Sequence, residues 1–167
     1  RMMLNEGALG STRVFKPVTV RLWTSVQTPP EVAGRRGLGW DIDTSYSGPR
    51  GKFFPIGSYG HTGWTGTSLW IDPFSKTFLI FLSNRNHPTE AGSVVALRSK
   101  LGTLAAEAVR NFNFAYVPGA LAPREDAAAS GRLRPSAVPV DTAAPVLNGI
   151  DVLAKNKFAQ LKGLKLG

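Results

Sequence analysis

The chain has 167 residues, a formal net charge of +9 and no cysteine, which excludes disulfide frameworks, thiolate metal sites and a cysteine nucleophile. Its longest apolar run, Phe78 to Leu82, falls far short of the roughly 20 residues that cross a bilayer. The positive charge is scattered, with Arg35-Arg36 the one adjacent pair, and is not interleaved with aromatics as a nucleic-acid stacking surface requires, so no nucleic-acid partner is expected.

Met2, Met3 and Leu4, followed by Asn5, Gly7 and Gly10, read as the last turn of a helix with glycine at its C-terminal cap. A sequence opening on Arg1 leaves room for a signal peptide upstream. Pro17 to Val26 predicts a short helix, because Pro suits the first turn and Val18, Leu22 and Val26 recur at helical spacing. Thr28-Pro29-Pro30 ends it. Gly37 to Asp43 alternates apolar and polar residues as a half-buried strand does.

A second strand is expected from about Gly60 to Ile71. The continuous apolar stretch Thr77 to Ser83 predicts a central, buried third strand, joined to the second by a turn over Asp72 to Lys76. Ser93 to Phe112 carries Val94, Leu97, Leu101, Leu104, Ala105, Ala108 and Val109 at helical spacing, so a helix with Ser93 as its cap should pack on the sheet. The fold class is therefore α+β, an antiparallel meander with flanking helices. Residues 118–145 hold five prolines, many alanines and no aromatic, the composition of an extended linker. Residues 146–167 read as one helix and the opening of a strand, the start of a further α/β domain after a first unit over 1–117.

The segment Tyr59-Gly60-His61-Thr62-Gly63-Trp64-Thr65-Gly66-Thr67 holds the chemistry-bearing residues. Its glycines weaken an ordinary strand and mark places where a ligand or another backbone comes close, while its threonines favour extended structure. The bland reading is a Gly-rich hairpin with an incidental histidine. Trp40 and Trp70 read as core, whereas Trp64 is the better pocket candidate. His61 and His87 are far apart, with no ordered carboxylate spacing, so no metal site and no cofactor are expected. Asn84 and Asn86 follow the third strand and either bind substrate or cap the next segment.

Taken in order, residues 1 to about 117 resemble the C-terminal third of the serine β-lactamase and penicillin-binding-protein-like hydrolases, class C type. The likeness rests on Gly37-Leu38-Gly39-Trp40, Tyr59 through Thr67, Trp70-Ile71-Asp72-Pro73 and Leu82-Ser83-Asn84-Arg85-Asn86-His87-Pro88. In that family a Lys/His-Thr/Ser-Gly triplet on an edge strand of the active-site sheet is the third catalytic motif, and His61-Thr62-Gly63 occupies its place. The resemblance implies that His61, Thr62, Gly63 and Asn86 bind substrate and that the backbone N–H of Trp64 is one of two oxyanion donors. Histidine in place of lysine removes a fixed charge, which favours ester, peptide or amide substrates over β-lactams.

The family's Ser-x-x-Lys and Tyr-x-Asn motifs do not occur in this sequence. Ser58 and Ser68 lack a lysine three residues on and read as ordinary serines, so the nucleophile and base are expected in a parent protein, and the isolated chain is expected to be inactive. Val146 to Leu153, with Phe158, Leu161-Lys162-Gly163 and Leu164-Lys165-Leu166-Gly167, resembles the first turn of the exo-β-N-acetylmuramidase family. The pair of resemblances implies an extracytoplasmic protein acting on a small-molecule or peptidoglycan-fragment substrate. The rival reading is a non-catalytic module that holds anionic wall polymers on a basic surface.

Overall fold

The computed structural model describes residues 1–123, so the helix and strand expected within 146–167, and most of the linker expected from 118 to 145, lie outside the described residues. The N-terminal turn is a single 3-10 turn at Met3–Asn5, closed by Glu6 in the left-handed region at φ 49° and not by Gly7. It leads into a small hairpin, β1 (Ala8–Leu9) with β2 (Thr12–Arg13), which no sequence pattern announced. The predicted helix follows as α1 (Pro17–Thr24), with Pro17 in its first turn and Val20 buried.

The main sheet has five antiparallel strands in sequence order: β3 (Arg35–Arg36), β4 (Asp41–Asp43), β5 (Tyr59–Thr62), β6 (Ser68–Asp72) and β7 (Thr77–Phe81). This is the expected meander, with four corrections. The strand expected from Gly37 to Asp43 forms only over Asp41–Asp43, because Gly37 to Trp40 turn between β3 and β4. The strand expected over Gly60 to Ile71 is a hairpin, because Gly63 to Thr67 turn and pair Thr62 with Ser68. β7 is an edge strand whose residues alternate between half-buried and exposed, so its apolar run does not mark a central position. The motif strand β5 lies inside the sheet, between β4 and β6, and not at an edge.

Two cores flank the sheet. On one face Ile42, Tyr59 and Ile71 pack with Met3, Leu4, Trp40 and Leu69, Trp40 meeting Tyr59 edge-on at 5.2 Å. On the other, Trp70 is 1% exposed and packs with Phe54 and with Ala106 of α2 (Val95–Glu107). The Trp40 and Trp70 readings thus agree with the structure.

The helix buries a different stripe from the one its leucines predict. Arg98, Gly102 and Ala106 face inward, while Leu97 and Leu104 are exposed. The reason is steric: a Cβ at Gly102 would stand 2.1 Å from the carbonyl oxygen of Pro49, so only glycine lets α2 reach the Gly48–Arg50 turn. Ser93 does not cap α2, whose N-cap is Val94 without a side-chain bond.

Asp72 closes the β6–β7 turn. Fully buried, it accepts from Ser58 Oγ at 2.9 Å, from the N–H of Ser75 at 2.9 Å and from Ser75 Oγ. At the end of the described chain, Leu121 N–H donates to Ile56 at 2.8 Å and Arg35 Nη1 to the Ala122 carbonyl at 2.7 Å. Among the described residues no helix is long and apolar enough to cross a membrane.

Candidate active site

The β4–β5 ladder is a single pair, Asp41 opposite Gly60. Residues 61–63 therefore run past the end of β4, and there they line a cleft of about 560 Å³. His61, Thr62, Gly63 and Trp64 form one wall, Arg36, Asp41 and Tyr46 a second, and Arg85, Arg98 and residues 92–95 the third. The structure thus brings together four of the five residues singled out from sequence. Asn86 does not line this cleft: its N–H donates to Asn84 Oδ1 at 3.0 Å, and its own Oδ1 is buried without a partner.

His61 is exposed, and its Nδ1 lies 2.9 Å from the Thr62 carbonyl oxygen. A carbonyl only accepts, so that contact requires the proton on Nδ1 and leaves Nε2 of the neutral ring as an acceptor. Trp64 is 70% exposed, with the Arg85 guanidinium 4.4 Å from its ring centroid. Its backbone N–H has no acceptor among the described residues.

The hairpin loop from Gly63 to Thr67 is fastened from two sides. From the first turn of α2, Arg98 donates through Nη2 to the carbonyls of Gly63 and Thr67, both at 2.8 Å, and through Nε to Gly66 at 3.0 Å. From the segment after β7, Arg85 donates through Nε to Trp64 at 2.8 Å and through its own N–H to Thr65 at 2.8 Å. Arg85 Nη1 also holds Glu90 and Gly92 carbonyls, at 3.0 and 2.8 Å. Burial lowers the Arg98 pKa from the ordinary arginine value, and the Arg85 charge lowers it further. An arginine still keeps its proton at any physiological pH.

Arg36 differs from both. It is half-buried, and its guanidinium has no hydrogen bond and no ion pair among the described residues. Three guanidinium groups on one cleft correct the expectation that a histidine third motif leaves it without a fixed cation. Sequence reasoning missed all three. The signal for Arg98 was present, since it stands four residues after Val94 and three before Leu101, a charge on an apolar stripe.

The motif glycines answer to the protein itself. A Cβ at Gly60 would stand 2.2 Å from Trp70 Cε3 and 2.4 Å from the Leu69 carbonyl oxygen, and one at Gly63 would stand 2.4 Å from Thr67 Oγ1. For these glycines the close approach is the neighbouring strand and loop. Ser58 and Ser68 are both buried, in keeping with their reading as ordinary serines.

The Beta-lactamase family matches residues 1–102, well over half of the chain. A protein of Escherichia coli K12 named "Putative D-alanyl-D-alanine carboxypeptidase" is 36% identical over 87 residues, covering 51% of this chain and 19% of that protein. Proteins of the same name from Salmonella newport and Salmonella agona are 37% identical over 97 residues, covering 57% of this chain and 22% of each. The chain thus spans about a fifth of the length of the curated relatives it matches.

Proposed function

This chain belongs to the beta-lactamase family, and from that premise we propose that it supplies the substrate-binding side of a serine acyl-transfer site acting on D-alanyl peptides or related acyl compounds. The observation that carries the reading is the end of β5: His61, Thr62 and Gly63 line the cleft beside a Trp64 N–H that has no acceptor among the described residues. In this reading the serine and its base come from residues outside this sequence, the serine attacks the acyl carbonyl, and the Trp64 N–H meets the oxyanion. Collapse of that intermediate breaks the scissile bond and expels the amine or alcohol, which takes the proton the base removed from the serine; water then hydrolyses the acyl-serine ester and frees the acid.

Arg36 gives the substrate class. A half-buried guanidinium with no partner among the described residues is suited to a carboxylate, which it binds through two parallel N–H donors. The buried Asp41 on the same wall is already an acceptor for Ser47 Oγ at 3.0 Å and excludes a second anion from its own side. The substrate accordingly carries a free carboxylate next to the scissile bond, as a peptide ending in D-alanine does. The carboxypeptidase names of the relatives agree with this.

The test uses the full-length protein that contains this chain, a peptide ending in D-alanyl-D-alanine, and the same peptide as its C-terminal amide. Cleavage of the free acid, read as D-alanine, should exceed cleavage of the amide, read as D-alaninamide, by about tenfold, the worth of one charge-assisted pair. Arg36→Gln should erase that preference. No release, together with no covalent labelling by a fluorescent penicillin, refutes the serine hydrolase reading.

Residues 146–167, with Gly149-Ile150-Asp151 and Leu161-Lys162-Gly163, we assign to the opening of an exo-β-N-acetylmuramidase domain. The two activities together would place the protein outside the cytoplasm, in wall turnover. Failure of the full-length protein to release terminal N-acetylmuramic acid from wall fragments removes that assignment.

A further inference from the structure

Each of the five carbonyls from Gly63 to Thr67 accepts a hydrogen bond. Gly63 takes the N–H of Gly66 and Arg98 Nη2, Trp64 takes Arg85 Nε, and Thr65 takes the Arg85 N–H. Gly66 takes Ser83 Oγ and Arg98 Nε, and Thr67 takes the Gly63 N–H and Arg98 Nη2. The amides are treated differently: the N–H groups of Trp64 and Thr65 have no acceptor among the described residues. A turn whose oxygens are all satisfied while its Trp64 and Thr65 amides are not is polarised at that place, with its positive side left for a ligand.

The geometry of one peptide unit makes the consequence local. The Gly63–Trp64 bond is trans, so the Gly63 carbonyl and the Trp64 N–H point in opposite directions across a rigid plane. Whatever grips the oxygen aims the amide. Arg98 grips the Gly63 oxygen, and Arg85 grips the oxygen of the next unit, Trp64–Thr65, in the same way. Both guanidinium groups are held by neutral carbonyls and not by carboxylates, so their charge adds to the field at the same place.

We propose that Arg98 is a positioning residue for the acyl-transfer step: by fixing the Gly63 carbonyl it turns the Trp64 N–H toward the cleft, and Arg85 supports it by fixing the Trp64 carbonyl. This rests on the serine hydrolase reading for its catalytic meaning, though not for the peptide orientation itself. Neither arginine touches the reacting atoms. An amide aimed at an oxyanion matters only when that charge has formed, so its loss lowers kcat and leaves KM nearly unchanged.

The test compares the full-length protein with Arg98→Gln and Arg98→Lys on one ester substrate. The glutamine variant should lose kcat by on the order of tenfold to a hundredfold at nearly constant KM, as loss of an oxyanion donor does. Lysine, which keeps the charge but has all its donors on one nitrogen, should recover part of it. A peptidyl boronic acid, which mimics the tetrahedral anion, should bind the glutamine variant correspondingly more weakly, while the D-alanine-terminated product binds both equally. A second readout does not need turnover. In NMR spectra of this 167-residue chain, Arg98→Lys should move the Trp64 and Thr65 amide resonances and leave the β5–β6 core amides in place. If wild type neither turns over nor acylates, the hydrolase reading falls while the amide shifts still decide the orientation. An unchanged kcat, a loss confined to KM, unmoved Trp64 and Thr65 amides, or equal global unfolding of both variants overturns the proposal.

Discussion

Gly60→Ala is the substitution whose effect the structure fixes most tightly. Gly60 is buried in the middle of the sheet, opposite Asp41 on one side and Trp70 on the other. Its new Cβ would stand 2.2 and 2.6 Å from two carbons of the Trp70 indole and 2.4 Å from the Leu69 carbonyl oxygen. Ordinary contact begins at 3.4 Å, so something must move by more than an ångström. The indole is 1% exposed and packed against α2, and the carbonyl is part of the β5–β6 ladder, so neither yields cheaply. Overpacking typically costs 1–3 kcal/mol, and a clash with backbone belongs at the top of that range, about 3 kcal/mol. For a unit of this size that is a fall of roughly 10 °C in Tm. Gly48→Ala is the control, since nothing lies within 4 Å of its Cβ position and its φ is not positive. It should be neutral or slightly stabilising. Urea and thermal unfolding, followed by tryptophan fluorescence, measure both. A Gly60→Ala loss below about 1 kcal/mol, or one equal to that of Gly48→Ala, refutes the claim that this glycine exists to admit Trp70.

Burial pushes the Tyr59 hydroxyl up to about 12. A raised folded value favours the protonated form, so this stability is complete below the unfolded value near 10 and is lost as pH rises from about 10 to 12, by on the order of 2 kcal/mol. Urea midpoints from pH 8 to 11.5 should fall, and Tyr59→Phe should flatten the curve; parallel curves for both proteins refute the assignment. Ser58→Ala removes a buried bond to Asp72 and should cost about 2 kcal/mol in unfolding experiments. It should leave penicillin labelling of the full-length protein intact, and loss of labelling would make Ser58 the nucleophile instead. His61→Ala should lower kcat/KM for the D-alanine-terminated peptide by about tenfold, worth one hydrogen bond to a charged group; an unchanged value makes His61 a surface residue.

The motif was legible because its residues act through local chemistry, and the sequence order of strand, turn, strand and helix carries straight into the meander. What misled was apolarity read as depth. Phe78 to Leu82 is a continuous apolar run, yet β7 is an edge, because such a run does not distinguish a strand covered on both sides from one left open. Leu97 and Leu104 of α2 are exposed for a related reason: a helix that must approach a turn at backbone distance turns its small residues, Gly102 and Ala106, inward. Arg85 and Arg98 were invisible because their partners are main-chain carbonyls, which every residue has and no composition reveals. In the motif, glycine was legible as close approach, but whether a ligand or Trp70 does the approaching is decided only in three dimensions.

The open side of β7 also governs how this protein behaves in company. Phe78, Ile80 and Leu82 stand 42%, 54% and 77% exposed in a row on one side of the strand. Among the described residues the strand pairs only with β6, so its other border offers donors and acceptors in extended register. Along the chain, the charges nearest this stretch are Lys76, before it begins, and Arg85, whose guanidinium is committed to Trp64, Glu90 and Gly92. Sheet proteins usually guard such a margin with lysine or proline set within the strand itself, and from Thr77 to Phe81 there is neither. Two copies meeting edge to edge would therefore encounter little repulsion and gain both main-chain pairing and a shared apolar ridge. A single Ile80→Lys exchange should therefore raise solubility during handling.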